Sequence, residues 1–140
     1  MTMDKQQKED IYRRLADCRR LDDIETLREE VLDRFGRLPV QATQLFDAAG
    51  LRLTAAITGA EKVKVDRLRI TVEYPPAVEF TRSDIEAIRR ALDVPLEFSM
   101  MGGFKFTADL SAIKSTDRLA YMRKALDEIG SAQVNRKVHA

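Results

Sequence analysis

Residues 27–39 read L-R-E-E-V-L-D-R-F-G-R-L-P and hold the end of one helix, its stop signal and the start of the next. Around this stretch apolar residues recur at the three- and four-residue spacing of a helix with one buried stripe. They are Leu21, Ile24, Leu27, Val31, Leu32 and Phe35. Gly36 can adopt the left-handed conformation that ends a helix, and Pro39 can open the next one without losing a backbone donor. Phe35, Gly36, Leu38 and Pro39 are therefore predicted to form a structural turn.

The other face of this predicted helix is acidic. At 100° per residue, five carboxylates fall mainly on the side away from the apolar stripe. They are Asp22, Asp23, Glu29, Glu30 and Asp33. Asp33 lies in the last turn, where the helix dipole disfavours a negative charge by a few tenths of a kcal/mol. This face is either a contact surface for a partner or a solvated surface on which Glu30 and Arg34 form an i,i+4 ion pair.

The first half of the chain predicts three helices, at about residues 4–19, 22–35 and 39–58. The apolar phase of the first helix predicts that Ile11, Leu15, Tyr12 and Cys18 are buried. The third helix is apolar around much of its circumference, from Val40 to Ile57, so we expect it to be covered on several sides.

The second half predicts two hairpins, each followed by a helix. The predicted strands are residues 62–65, 68–74, 96–100 and 104–108. Asp66-Arg67 and Gly102-Gly103 supply the turns. A capping box of Ser83 and Glu86 opens the first helix, and Ser115 caps a last helix at about residues 116–129. The order predicts an α+β fold: three N-terminal helices, then a ββ-α-ββ-α unit with one mostly antiparallel sheet of about four strands.

Size and composition predict an ordinary globular protein. The 140 residues are expected to form a single domain, residues 1–140, in which residues 131–140 are a flexible tail. No apolar run is long enough to span a membrane, and the polar N-terminus does not look like a signal peptide, so we expect a cytoplasmic location. The net charge of +1 gives no general attraction to nucleic acid or lipid.

Residues that could carry chemistry are few. Cys18 is the only cysteine and follows the buried phase of its helix, so we interpret it as a packing residue. His139, the only histidine, lies in the predicted tail, where a site cannot be held in place. The sequence has no phosphate-binding loop and no cluster with metal-ligand spacing. We therefore predict no catalytic residue, no metal site and no cofactor.

The stretch E-V-L-D-R-F-G-R-L-P, residues 30–39, resembles the signature of the C-terminal domain of the bacterial transcription-repair coupling factor. Upstream, I-Y-R-R-L-A-D-C at residues 11–18 resembles the first helix of that domain, and residues 45–60 resemble the third. The resemblance covers roughly residues 5–65. One departure is Thr58-Gly59-Ala60, where the family usually has Leu-Gly-Ile.

The resemblance implies a non-catalytic regulatory domain at the end of a DNA translocase. Such a domain docks on the factor's N-terminal domain and masks the surface that recruits the damage-recognition subunit of the excision nuclease. RNA polymerase engagement is thought to release it. Glu30 and Asp33 match family positions whose carboxylates pair with arginines of the N-terminal domain, and Arg34 lies at the edge of that contact.

Two other functions stay open at this point. One is a free-standing nucleic-acid-binding module that uses the basic residues on or after the first helix. These are Lys5, Lys8, Arg13, Arg14, Arg19 and Arg20. Acidic residues interleave with them and no aromatic residue is placed to stack on bases, so direct nucleic-acid binding is not favoured. The other is a general interaction domain of another multidomain protein.

Overall fold

Among the residues that the structure describes, five α-helices and four strands follow one another in the predicted order. The structure, a computed structural model, describes residues 4–38 and 40–139, and from residue 133 onward it describes the backbone alone. The elements are α1 Lys5–Asp17, α2 Leu21–Phe35, α3 Val40–Ile57, β1 Lys62–Val65, β2 Arg69–Glu73, α4 Arg82–Ala91, β3 Leu96–Ser99, β4 Lys105–Asp109 and α5 Arg118–His139. The predicted α+β fold is confirmed. Pro39, predicted to open α3, lies outside the described residues.

Two compact units make up the chain. The first is Met1–Leu53 and the second is Thr54–Ala140, and the division falls within α3. The single domain predicted from the sequence stays a prediction. Within the described residues, every helix is too short or too polar to cross a membrane.

The core of the first unit is built from the apolar stripes of α1, α2 and the start of α3. Its buried residues are Ile11, Leu15, Ile24, Leu27, Val31, Ala42 and Phe46. Tyr12 was predicted to join them, but 53% of it is exposed. Ile11 and Leu15 lie four residues apart on one side of the helix. Tyr12 is about 100° around the axis from Ile11, beyond the edge of that side.

Both ends of α2 are closed by local hydrogen bonds. At the start, the Asp23 carboxylate accepts from the backbone N–H groups of Arg19 and Arg20, each at 3.1 Å. At the end, Gly36 has φ of 76°, in the left-handed region predicted for it, and its N–H donates to the Leu32 carbonyl at 2.7 Å. Asp23 therefore stabilises the N-terminus of α2, so one carboxylate of the predicted acidic face has a structural role.

The sheet of the second unit is antiparallel throughout, with strand order β1-β2-β4-β3. Each predicted hairpin forms, and β2 and β4 pair with each other at the centre of the sheet. The first turn differs from the prediction: Asp66 N–H donates to the Arg69 carbonyl, so the turn residues are Arg67-Leu68 rather than Asp66-Arg67. Ile70, Val72, Phe106 and Ala108 lie on one face of the central pair, and all four are buried.

The helices of the second unit begin differently from the predictions. Thr81, not Ser83, caps α4: its hydroxyl accepts from Asp84 N–H, and the Asp84 carboxylate accepts from Thr81 N–H at 2.7 Å. The cap at Thr81 lies two residues before the predicted one, so the helix begins two residues earlier. Ser115 lies in a 3-10 turn, Ser115–Asp117, that leads into α5 and does not cap it. Such turns are common at helix starts.

The last helix is longer than predicted. It continues past residue 129 to His139, so the backbone of residues 131–139 is helical. The mobility predicted for residues 131–140 stays a prediction. The side chain of His139 and the whole of Ala140 lie outside the described residues.

Candidate protein-interaction site

An open groove of about 690 Å³ runs between α1 and α2 in the first unit. Ile11, Val31 and Phe35 form its apolar floor. Its charged lining residues are Asp4, Glu9, Asp10, Glu30, Lys5, Arg13, Arg14 and Arg34. The four carboxylates and four cations cancel, so the groove has no general attraction for either sign of charge. Any selection by charge must come from individual side chains.

Glu30 crosses the groove to α1. Its Oε2 lies 2.6 Å from Nη2 of Arg14, sixteen residues earlier in the chain. Both side chains are about half exposed, at 52% for Glu30 and 44% for Arg14. Water screens such a pair, so it contributes about 1 kcal/mol at most to stability. The Glu30 carboxylate is thus held in place by a contact that costs little to break.

The i,i+4 pair of Glu30 and Arg34 proposed from the sequence is wrong. Arg34 places its guanidinium 5.7 Å from the centroid of the Phe35 ring, in a cation–π contact. Glu30 has the Arg14 guanidinium in hydrogen-bond contact instead. Phe35 and Leu38, two of the predicted turn residues, are half-buried against the core of the first unit.

Asp33 is exposed and has a different environment from Glu30. Among the described residues, none lies within 4 Å as an ion-pair partner for it. Residues three apart on a helix are neighbours on its surface, about 5–6 Å between Cβ atoms, so Glu30 and Asp33 can be reached by one partner. The buried residues of α2, Ile24, Leu27 and Val31, occupy another face. Asp33 therefore presents a carboxylate in the last helical turn that is not ion-paired with any of the described residues.

The basic residues of the first helix are partly neutralised by contacts inside the unit. Arg14 pairs with Glu30, and Arg20 lies 3.8 Å from the Asp22 carboxylate. Asp4 caps α1 through the backbone N–H of Gln7, which adds a further carboxylate at the start of this helix. These contacts leave a mixed surface, not a continuous basic strip of the kind that follows a phosphate backbone.

Cys18 has the surroundings of a packing residue. It is half-buried against the core of the first unit, and its thiol donates to the Arg14 carbonyl at 3.3 Å. Burial, followed by the nearby Asp23 carboxylate, raises the pKa of the Cys18 thiol. A raised pKa lowers the thiolate fraction and so the reactivity. In the part of the chain that the structure describes, no three His, Cys, Asp or Glu side chains gather as metal ligands.

The sequence did not indicate Arg14 as the partner of Glu30. A pair between two helices depends on how those helices pack, which periodicity within one helix does not reveal. Asp23 was predicted to belong to the acidic face, although the sequence did carry the signal of a cap: an acidic residue three positions after the residue that precedes a helix is a common capping arrangement.

The chain is similar to a protein family and to a solved structure. The family model of the TRCF domain matches residues 2–85. A crystal structure described as the C-terminal domain of transcription-repair coupling factor matches with a TM-score of 0.78 and 17% sequence identity, over 94% of this chain and 84% of that chain. At that identity the structural match shows a shared fold. No curated protein sequence matches the chain.

Proposed function

The chain belongs to the TRCF domain family of transcription-repair coupling factors, and we propose that it is a non-catalytic regulatory domain that docks on the N-terminal domain of the factor. Docking masks the surface that recruits the damage-recognition subunit of the excision nuclease. Engagement of RNA polymerase by the factor releases the domain and frees that surface. The domain acts in the cytoplasm, without a cofactor, and contacts neither membrane nor nucleic acid directly.

The observation that carries this proposal is the placement of Glu30 and Asp33. Both carboxylates are exposed on α2, three residues apart and off the buried stripe, and Glu30 also lines the open groove. Asp33 also opposes the helix dipole, which favours cations at a helix C-terminus. Two neighbouring carboxylates of this kind suit a partner surface that carries arginines.

Weak contacts are sufficient for a domain that must both close and open. A covalent tether raises the effective concentration of the docked domain to about the millimolar range. Partly exposed charge pairs of about 1 kcal/mol each can then hold the closed state and still release it. Arg34, held over Phe35, lies at the edge of this surface.

Charge reversal tests the proposal. Glu30→Arg combined with Asp33→Arg should leave the domain folded, because both side chains are exposed. It should weaken binding to the isolated N-terminal domain by about 2 kcal/mol or more, since repulsion replaces attraction. Calorimetry at two salt concentrations measures this, and the parent's binding should weaken as salt rises.

A matched control is Asp17→Arg combined with Glu25→Arg. These two carboxylates are also exposed in the first unit, and the change in net charge is the same. The control should bind like the parent. Equal binding by the parent and the Glu30/Asp33 variant would refute the proposal. Salt-sensitive binding of a DNA duplex, lost on removing Arg13 and Arg19, would instead support the nucleic-acid-binding alternative.

A further inference from the structure

We propose, on the basis of the docking function above, that Arg14 competes internally for the Glu30 carboxylate. A partner's arginine gains the full attraction of Glu30 only when Arg14 is released from it. Asp33 has no such competitor within 4 Å among the described residues. The two proposed docking carboxylates therefore differ: Asp33 is ready for a partner, and Glu30 becomes fully available only by exchange.

The geometry of the Arg14–Glu30 contact supports exchange. One nitrogen of Arg14 contacts one oxygen of Glu30, at 2.6 Å. Arginine binds a carboxylate best as a fork, with two parallel hydrogen bonds that use both oxygens. Oε2 can accept a second hydrogen bond, but a partner's arginine that forms the fork while Arg14 stays in place brings a second positive charge against the same carboxylate. The two-point contact is therefore most favourable when the one-point contact is released.

The exposure of both side chains makes the exchange easy. Arg14 and Glu30 are about half exposed, so water can solvate the released guanidinium as it leaves. Exposed pairs of this kind contribute a factor of about two to five to an equilibrium constant. Arg14 thus lowers docking affinity by a small factor and does not block docking. The weaker affinity makes the docked domain easier to release.

The test compares two arginines that neighbour each other on α1. Arg14→Gln removes the competitor, while Arg13→Gln removes the same charge from a residue that lines the same groove without pairing with Glu30. Calorimetry with the isolated N-terminal domain should show about two- to fivefold tighter binding for Arg14→Gln than for Arg13→Gln. If both variants tighten binding equally, the effect is general repulsion and the proposal is wrong. If Arg14→Gln weakens binding, Arg14 assists docking, which also overturns it.

A second background separates this proposal from the docking function itself. In a Glu30→Gln chain, Arg14→Gln should no longer tighten binding, because there is no carboxylate left to release. If the parent does not bind the N-terminal domain, or if binding ignores Glu30 and Asp33, the docking function fails. If binding depends on Glu30 but Arg14→Gln leaves it unchanged, docking stands and the competition alone is refuted. Thermal melting of each variant confirms that the compared chains are folded.

Discussion

The Thr58 hydroxyl and the Tyr74 phenol share a buried hydrogen bond of 2.9 Å. Thr58 Oγ1 also donates to the Ala55 carbonyl at 2.6 Å, so its single proton is used there and Tyr74 is the donor in the shared bond. Thr58 stands where the resembling family usually has leucine. In this chain the polar residue is accommodated because Tyr74 supplies its partner.

Tyr74 should make stability depend on alkaline pH. Burial raises the pKa of Tyr74 to about 12, whereas an unfolded tyrosine titrates near 10. Between these values the unfolded chain loses the phenolic proton and the folded chain keeps it, so stability is complete below pH 10 and falls as pH rises toward 12. From pH 9 to 11.5 the parent should lose about 2 kcal/mol more than Tyr74→Phe. Urea unfolding at both pH values measures this; equal losses would show that Tyr74 titrates normally.

Two leucines of α2 should respond very differently to truncation. Leu27 is 3% exposed in the core of the first unit, and Leu32 is 39% exposed. Leu27→Ala should lower the free energy of unfolding by about 2–5 kcal/mol, and Leu32→Ala by about 1 kcal/mol or less. Phe35 is half-buried, so Phe35→Ala should lie between them. Chemical denaturation gives all three values. Similar losses of unfolding free energy for both leucines would show that the buried stripe of α2 was assigned incorrectly.

Three of the glycines with positive φ should fall into two classes. Gly36 and Gly102 have φ of 76° and 71°, and a Cβ at either would meet nothing within 4 Å. Their substitution by alanine should cost about 1 kcal/mol each, from backbone strain alone. Gly103 has φ of 117°, and its Cβ would clash with the carbonyl oxygen of Tyr74. Gly103→Ala should therefore cost more than about 2 kcal/mol. A melting temperature for Gly103→Ala as high as that of Gly102→Ala would contradict this.

The same substitution at the two ends of α2 should act in opposite directions. Asp22 lies in the first turn, where the helix dipole favours a carboxylate, and Asp33 lies in the last turn, where it does not. Asp22→Asn should destabilise the chain and Asp33→Asn should stabilise it, each by about 0.3–1 kcal/mol at low salt. Both effects should shrink in 1 M salt. A destabilising Asp33→Asn would mean that this carboxylate has a structural role.

Local patterns in the sequence predicted most of the fold. The bounds of α2 and the strand β1 follow from periodicity and turn residues, which act over a few positions. Pairing of β2 with β4 joins strands more than thirty residues apart, and no local pattern specifies it. The caps of α4 were misplaced because Thr81 and Ser83 offer equivalent local chemistry. In the folded chain Asp84 is buried and accepts from Thr81 N–H, a contact that belongs to the cap at Thr81.

The candidate site could be predicted only in part. Exposure of Glu30 and Asp33 follows from helical phase, which places them off the buried stripe. The contact between Arg14 and Glu30 depends on the packing of α1 against α2 and could not be derived from either helix. The groove between those helices is likewise a property of two elements, so the sequence indicated Glu30 and Asp33 as exposed carboxylates but not that Arg14 lies across the groove from Glu30.

The bridge between Arg14 and Glu30 also bears on how this surface can evolve. Under the proposed docking, the Glu30 carboxylate pairs with two arginines in turn: Arg14 in its own chain and an arginine of the partner. A replacement there must suit both at once, whereas a replacement of Asp33 must suit the partner alone. We expect position 30 to change more slowly among relatives than position 33, and to change together with position 14 when it does.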